Sequence, residues 1–116
     1  MDIKRFGSNG RYSSAVVHNN IVYLCGQTCD EEIIDVKFQT QVVLKQIDEL
    51  LKSHGSDKEH ILSATIYLKN IKDYDAMNQI WDAWVVEGHE PARACVEAKL
   101  ADESILVEIS IIAAVR

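Results

Sequence analysis

Proline, cysteine and long apolar runs are scarce in this chain of 116 residues, which has one proline, three cysteines and 7% aromatic residues. A secreted disulfide scaffold uses more cysteines, in even number, so the three thiols are expected to be reduced. No apolar run approaches the roughly 20 residues that span a bilayer. Residues 1–10 also lack the apolar core of a signal peptide. The sequence therefore predicts a cytoplasmic protein without a membrane partner.

Acidic residues outnumber basic ones, 18 to 12, and the formal net charge is −6. A field of that sign repels phosphate backbones, so no nucleic-acid partner is expected. Hydrophobic residues make up 47% and charged residues 26%, which is typical of a globular protein. The length fits a single domain over residues 1–116.

Candidate metal ligands are scattered along the chain. Cys25 and Cys29 are separated by three residues, but no second close pair follows them, and the four histidines are far apart in sequence. A structural zinc site needs four clustered ligands. No metal site is therefore predicted, and no glycine-rich phosphate loop is present between a strand and a helix.

Apolar periodicity predicts strands and helices in alternation, which favours an α/β layer fold. The predicted strands cover residues 14–18, 21–26, 61–68, 92–100 and 105–115, and the predicted helices cover 36–53 and a segment from the N-cap Asp73 to Gly88. The last strand is apolar on both faces. Two helices cover only one face of such a sheet, so the other face predicts a homo-oligomer.

Arg93 and Glu108 are the charged residues of two otherwise apolar strands. A buried ion must be paired, because leaving it unpaired costs several kcal/mol. Arg93 shares a strand face with Cys95, and if the face of Glu108 coincides with theirs, one surface carries a guanidinium, a carboxylate and a thiol. Two interpretations stay open: a structural ion pair at a subunit contact, or an anion clamp beside an acid–base group.

Other polar and aromatic residues are ambiguous on their own. Asn78 lies at the edge of the apolar stripe of the second predicted helix, where it either bonds to the backbone or serves a site. Trp81 and Trp84 match the helical period and are expected in the core. Tyr12 is either a surface aromatic or the border of a pocket, and Cys25 is either a small buried residue or part of a site.

Several segments together resemble the RidA/YjgF family of reactive intermediate deaminases, and within it the short YoaB-like members. The matching segments are Pro91–Ala98, Val107–Ile109 and Ile112–Arg116 near the C-terminus, with Tyr12–Val16, Tyr23–Gln27 and Asp73–Asn78 before them. The resemblance implies an α+β, chorismate-mutase-like two-layer sandwich. It further implies a mixed sheet of five to six strands with two helices on one face, assembled as a homotrimer with clefts between subunits.

The resemblance also implies a reaction: hydrolysis of enamines and imines derived from amino acids to a 2-keto acid and ammonia, without metal or cofactor. It implies that Arg93 binds the substrate carboxylate, that Glu108 activates water and that Cys95 belongs to the catalytic site. The same Arg93 would serve an alternative function, a trimer that binds small carboxylates without turning them over.

Three further positions match the pocket of the family. The resemblance implies that Tyr12 is the pocket tyrosine and Asn78 the helix asparagine. Cys25 stands where the archetype has serine. Because a thiol is a weaker hydrogen-bond donor than a hydroxyl, the substrate preference is expected to differ.

Overall fold

The computed structural model describes residues 2–116. Within that range the chain forms six strands and two α-helices. The elements are β1 (Lys4–Phe6), β2 (Ala15–His18), β3 (Ile21–Leu24), α1 (Val36–Ser53), β4 (Ile61–Leu68), α2 (Tyr74–Trp84), β5 (Ala92–Glu97) and β6 (Val107–Ala114). Short 3-10 turns at Lys58–His60 and Ile71–Asp73 lead into β4 and α2.

The strands form one mixed sheet in the order β1-β2-β3-β6-β4-β5. Only β4 and β5 pair in parallel, and α2 makes the crossover between them. Both helices cover the same face of the sheet, so the predicted α+β fold with a mixed sheet is confirmed. None of the helices in residues 2–116 is both long and apolar enough to cross a membrane.

The core lies between this sheet face and the helices. Alternate residues of β6 are buried, and α1 contributes a matching apolar stripe. The buried side chains of these two elements include Val107, Ile109, Ile111, Ala113, Val43, Leu44, Ile47 and Leu51. The other face of the sheet is uncovered in the protomer, where Tyr23 is 41% and Val96 is 44% exposed. The molecule is accordingly a slab of 43 × 37 × 20 Å.

Helix α1 has the predicted bounds, whereas α2 is shorter than predicted. Asp35 caps α1 by accepting hydrogen bonds from the backbone of Lys37 and Phe38. Asp73 makes no such side-chain bond at the start of α2. The helix ends at Trp84 because Val85 is already extended, with ψ of 146°. Gly88, predicted to end the helix, lies in the turn beyond it.

Strand edges account for the remaining differences. The sequence did not predict β1, whose three residues are all exposed and so show no apolar alternation. The predicted strands 14–18, 21–26, 92–100 and 105–115 are shorter in the structure, with the bounds given above. Strict alternation along β4 puts Leu62 on the same face as the buried residues Ala64, Ile66 and Leu68, but Leu62 is 48% exposed. A β-bulge between Ile61 and Ser63 shifts the register there and puts Ile61 in the core instead.

A buried glutamine ties α1 to the segment that precedes β6. The Nε2 group of Gln39 donates to the carbonyl oxygens of Ile33 and Ser104 at 2.9 and 2.8 Å. Its Oε1 atom accepts from the backbone N–H of Leu106 at 2.9 Å. Gln39 is fully buried. Water therefore does not reach these three backbone groups as an alternative hydrogen-bond partner.

We expect Gln39→Leu to lower the free energy of unfolding by about 2–4 kcal/mol, because it leaves backbone groups buried without partners. Urea unfolding at one fixed protein concentration measures the change. Gln41→Leu is the matched control, since Gln41 lies on the exposed side of the same helix. Equal stability of the two variants would show that the Gln39 bonds contribute nothing.

Candidate functional site

Arg93 lies on β5 and points toward the helix layer. It pairs in register with Ala64 of β4, whose side chain is buried on the helix-covered face. Its Nη1 group donates to Oδ1 of Asn78 at 2.8 Å, and its Nη2 group donates to the hydroxyl of Tyr74 at 3.1 Å. The guanidinium carbon also lies 5.3 Å from the ring centre of Trp81, at cation–π distance.

One stripe of α2 therefore holds the guanidinium. Tyr74, Asn78 and Trp81 are spaced by four and then three residues, which places them on one side of the helix. Among the described residues no carboxylate lies within 4 Å of Arg93. A guanidinium has five N–H donors, and two of them are used by these neighbours. The arrangement leaves Arg93 with three N–H donors that can bind an external carboxylate.

Glu97, on the same strand as Arg93, has a structural role. The Oε1 atom of Glu97 accepts from the backbone N–H of Ile71 at 2.9 Å. This bond fixes the turn that leads into α2 against the end of β5. Glu97 thereby helps to set the helix stripe opposite Arg93.

Glu108 lies on the uncovered face of the sheet and borders a separate cavity. It pairs in register with Tyr67 of β4. The cavity has a volume of about 460 Å³. Its lining residues are Tyr12, Cys25, Gly26, Thr28, Ala101, Ile105 and Glu108. The Glu108 carboxylate accepts no hydrogen bond from another described side chain or backbone group, so it is available to a molecule in the cavity.

Gly26 lets the Glu108 side chain lie directly on the backbone of the neighbouring segment. A Cβ atom at this position would overlap the Glu108 carboxylate. The close approach is maintained by Gln27 and Ile109, which exchange two backbone hydrogen bonds of 2.9 and 3.1 Å beside it. The glycine therefore determines where the carboxylate sits.

Tyr12 reaches the same cavity from the irregular segment before β2. The side chain of Asn9 accepts from the backbone N–H groups of Arg11 and Tyr12 at 2.9 and 3.1 Å. This Asx-type turn presents the tyrosine beside Cys25 and Gly26. The predicted pocket residues Tyr12, Cys25 and Glu108 thus lie together.

The sequence left open whether Arg93 and Glu108 share one face, and within a single chain they do not. Arg93 aligns with Ala64 and Ile111 on the helix-covered face, whereas Glu108 aligns with Tyr67 on the uncovered face. Their Cα positions are two strands and three residues apart, or about 14 Å from strand geometry. The protomer therefore carries two separate groups of candidate residues.

The two accessible thiols belong to different groups. Cys95 is on the Arg93 face, and burial raises the pKa of its thiol against the opposing effect of the Arg93 charge. Cys25 is beside Glu108, and burial again raises the pKa, with a smaller contribution in the same direction from the Glu108 charge. The amide of Gln27 donates to Cys25 Sγ at 3.4 Å and opposes that shift. Both thiols are thereby kept neutral at pH 7.

Sequence reasoning missed Tyr74, Gly26 and Gln27 as members of these groups. By its spacing Tyr74 falls on the apolar stripe of α2, but it is 40% exposed. Its spacing from Asn78 is the signal that could have linked it to Arg93. Within the part of the chain that the structure covers, no three His, Cys, Asp or Glu side chains cluster as metal ligands.

The chain is similar to known proteins along nearly its whole length. The family model described as Endoribonuclease L-PSP matches residues 2–115. The RutC family protein YoaB of Escherichia coli is 44% identical, over 99% of this chain and all of its own length. A RutC family protein of Haemophilus influenzae is 46% identical, over 97% of this chain and 98% of its own length.

Solved structures give the same result. The crystal structure of a YjgF protein family member from Neisseria meningitidis has a TM-score of 0.96 at 49% identity, covering all of this chain and 97% of that one. A conserved Rid protein family member from Yersinia pestis has a TM-score of 0.86 at 35% identity, covering 93% and 90%. The agreement therefore extends from sequence to fold.

We expect alkylation of Cys25 and Cys95 by iodoacetamide to be slow at pH 7, because a raised pKa keeps the thiolate fraction small. Peptide mass spectrometry from about pH 6 to pH 10 should place both rate midpoints above about 8.5, the ordinary thiol value. The same peptides in the urea-unfolded chain provide the control. A midpoint below that of the unfolded chain would contradict the burial argument.

Proposed function

This chain belongs to the Endoribonuclease L-PSP family, which includes the YjgF, RutC and Rid proteins, and on that basis we propose that it is a hydrolytic deaminase of imines derived from amino acids. The products would be a 2-keto acid and ammonia. The observation that carries the proposal is the Arg93 guanidinium, which Asn78 and Tyr74 orient and which keeps N–H donors free for a ligand. Arginine suits a planar carboxylate because it can form two parallel hydrogen bonds to it.

The proposal includes assembly into a homotrimer with clefts between subunits. Arg93 and Glu108 are on opposite faces of one sheet, so a small substrate cannot contact both within one chain. An apolar sheet face that exposes Tyr23 and Val96 favours burial against another copy. In the proposed cleft, Arg93 of one chain faces Glu108 of the next. We also propose that this trimer works in the cytoplasm.

In the proposed reaction Arg93 holds the substrate carboxylate while a water molecule adds to the carbon of the C=N bond. Glu108 takes a proton from that water as the new C–O bond forms, and returns it to the nitrogen. Glu108 then takes the hydroxyl proton of the resulting carbinolamine and delivers it to the nitrogen, so that the C–N bond breaks, ammonia leaves and the C=O bond of the keto acid forms. Holding the reactants together lowers the barrier by several kcal/mol, up to about 7–11 in the best intramolecular cases.

The remaining predicted residues have supporting tasks in this scheme. Cys95 lies beside Arg93 as a neutral thiol, and its backbone would help to position the water. Tyr12 and Cys25 border the space next to Glu108. Asn78 fixes the orientation of Arg93 through its 2.8 Å hydrogen bond.

Other activities fit the molecule less well. The family description mentions an endoribonuclease, but a net charge of −6 opposes RNA binding. A protein that only binds small carboxylates would use the same Arg93 and would leave the unpaired Glu108 carboxylate without a task. Binding and turnover of the same ligand class must therefore be measured separately.

We expect Arg93→Ala to lower kcat/KM for imine hydrolysis by about 100-fold, from the loss of charged hydrogen bonds to the carboxylate. Glu108→Gln should lower kcat by about 100- to 10,000-fold, the usual range for a general acid–base group. The imine is produced in the cuvette by an amino-acid oxidase, and ammonia release is measured above the spontaneous rate. Full activity of an assembled Arg93→Ala protein would refute the clamp, and binding without turnover by the wild type would favour the carboxylate-binding alternative.

Mixing the two inactive variants tests whether a site uses two chains. After unfolding and refolding together in equal amounts, Arg93→Ala and Glu108→Gln chains should regain activity at about a quarter of the sites, since each site takes one residue from each neighbour. The same variants refolded separately are the controls. If the mixture stays as inactive as they are, the shared site is wrong.

Gly26→Ala should fold but lose activity, because the added Cβ displaces only the flexible end of Glu108. We expect kcat to fall by about 100-fold or more, as for loss of the acid–base group. Gly10→Ala is a control for glycine replacement with open space around the Cβ, although its positive φ adds backbone strain. Wild-type kcat in Gly26→Ala would mean that the position of Glu108 is not set by this contact.

A further inference from the structure

A hydroxyl group next to Arg93 has hydrogen-bonding capacity that the scheme above does not use. It belongs to Tyr74, the first residue of α2, which is 40% exposed. Its oxygen lies 3.1 Å from Arg93 Nη2. We propose that Tyr74 is a second substrate-binding residue, whose phenolic O–H donates to the same carboxylate that Arg93 holds. This inference rests on the proposed function.

The direction of the hydrogen bond supports the assignment. A guanidinium only donates, so the Tyr74 oxygen must be the acceptor in its contact with Arg93. The phenolic proton is then directed elsewhere, and no described acceptor receives it. A carboxylate bound to the remaining Arg93 donors lies next to this proton. Tyr74 and Arg93 together thus provide donors from two side chains for one planar anion.

The helix places Tyr74 with the other residues that hold Arg93. Asn78 occupies Nη1 and Trp81 lies beneath the guanidinium, four and seven residues after Tyr74. Asn78 also accepts from Arg93 and keeps amide protons on Nδ2, but it is half-buried, whereas Tyr74 is exposed. Tyr74 is therefore the helix donor that a carboxylate arriving from solvent meets. The predicted ligand class is a small 2-keto or 2-imino acid with a free carboxylate.

Trp81 provides the binding signal. Its ring centre is 5.3 Å from the Arg93 guanidinium carbon, so a bound carboxylate should change its fluorescence. The chain has two tryptophans, and Trp84→Phe leaves Trp81 as the sole emitter. Pyruvate, a stable 2-keto acid, is the probe for the dissociation constant.

In that Trp84→Phe background we expect Tyr74→Phe to raise the dissociation constant for pyruvate about ten-fold, the effect of losing one hydrogen bond to a charged group. Ser53→Ala is the control, because it removes an exposed hydroxyl that bonds only within α1, and it should bind as the parent does. An unchanged constant in Tyr74→Phe would overturn the inference while leaving the proposed function standing. Unchanged binding in Arg93→Ala would instead refute the proposed function.

A double-variant cycle separates direct donation from a role in orienting Arg93. If Tyr74 bonds to the carboxylate, Tyr74→Phe should weaken pyruvate binding by a similar factor with Arg93 and with Arg93→Lys. If it only orients the guanidinium, the factor should vanish in the lysine background, and the inference fails. Ultraviolet difference absorption of the tyrosines adds a spectroscopic check, since donation to an anion shifts a phenol band that Tyr74→Phe must lack.

Discussion

The organisation of this molecule depends on keeping one guanidinium fixed without a carboxylate partner among residues 2–116. Arg93 is at the edge of the helix layer, held by two hydrogen bonds and the Trp81 ring. A charge moved out of water is costly unless it is paired, so neutral partners and partial exposure must replace an ion pair. The stripe of α2 supplies those neutral partners, and the hydrogen bond from the backbone of Ile71 to Glu97 fixes the turn before that helix against β5.

The second constraint is the approach of Glu108 to the backbone of Gly26. Any side chain there would overlap the carboxylate, so the glycine is required by packing and not by a turn. The bridge between Gln27 and Ile109 keeps the two segments together. Both charges are thus positioned by backbone pairing and one side-chain stripe, but on opposite faces of the sheet.

Sequence patterns were most informative where one face of an element is buried. Helix α1 and strand β4 have the predicted bounds because their apolar spacing is regular. Strand β1 was missed because its short edge buries nothing, and Leu62 was misplaced because alternation cannot reveal a bulge. The sequence could not decide whether Arg93 and Glu108 share a face, for a different reason. Alternation gives the order of side chains within one strand, but only the register between strands relates the faces of two strands.

That separation gives the uncovered sheet face a consequence beyond stability. A protomer with both charges on one surface could bind a substrate alone, and its apolar face would then matter only for solubility. Here the distance of about 14 Å and the opposite orientation prevent one small acid from reaching both groups. If the two groups act on one substrate, they must come from different chains. The apolar face that brings the chains together is then part of the site, because burying Tyr23 and Val96 against a second copy is what would close the gap between guanidinium and carboxylate.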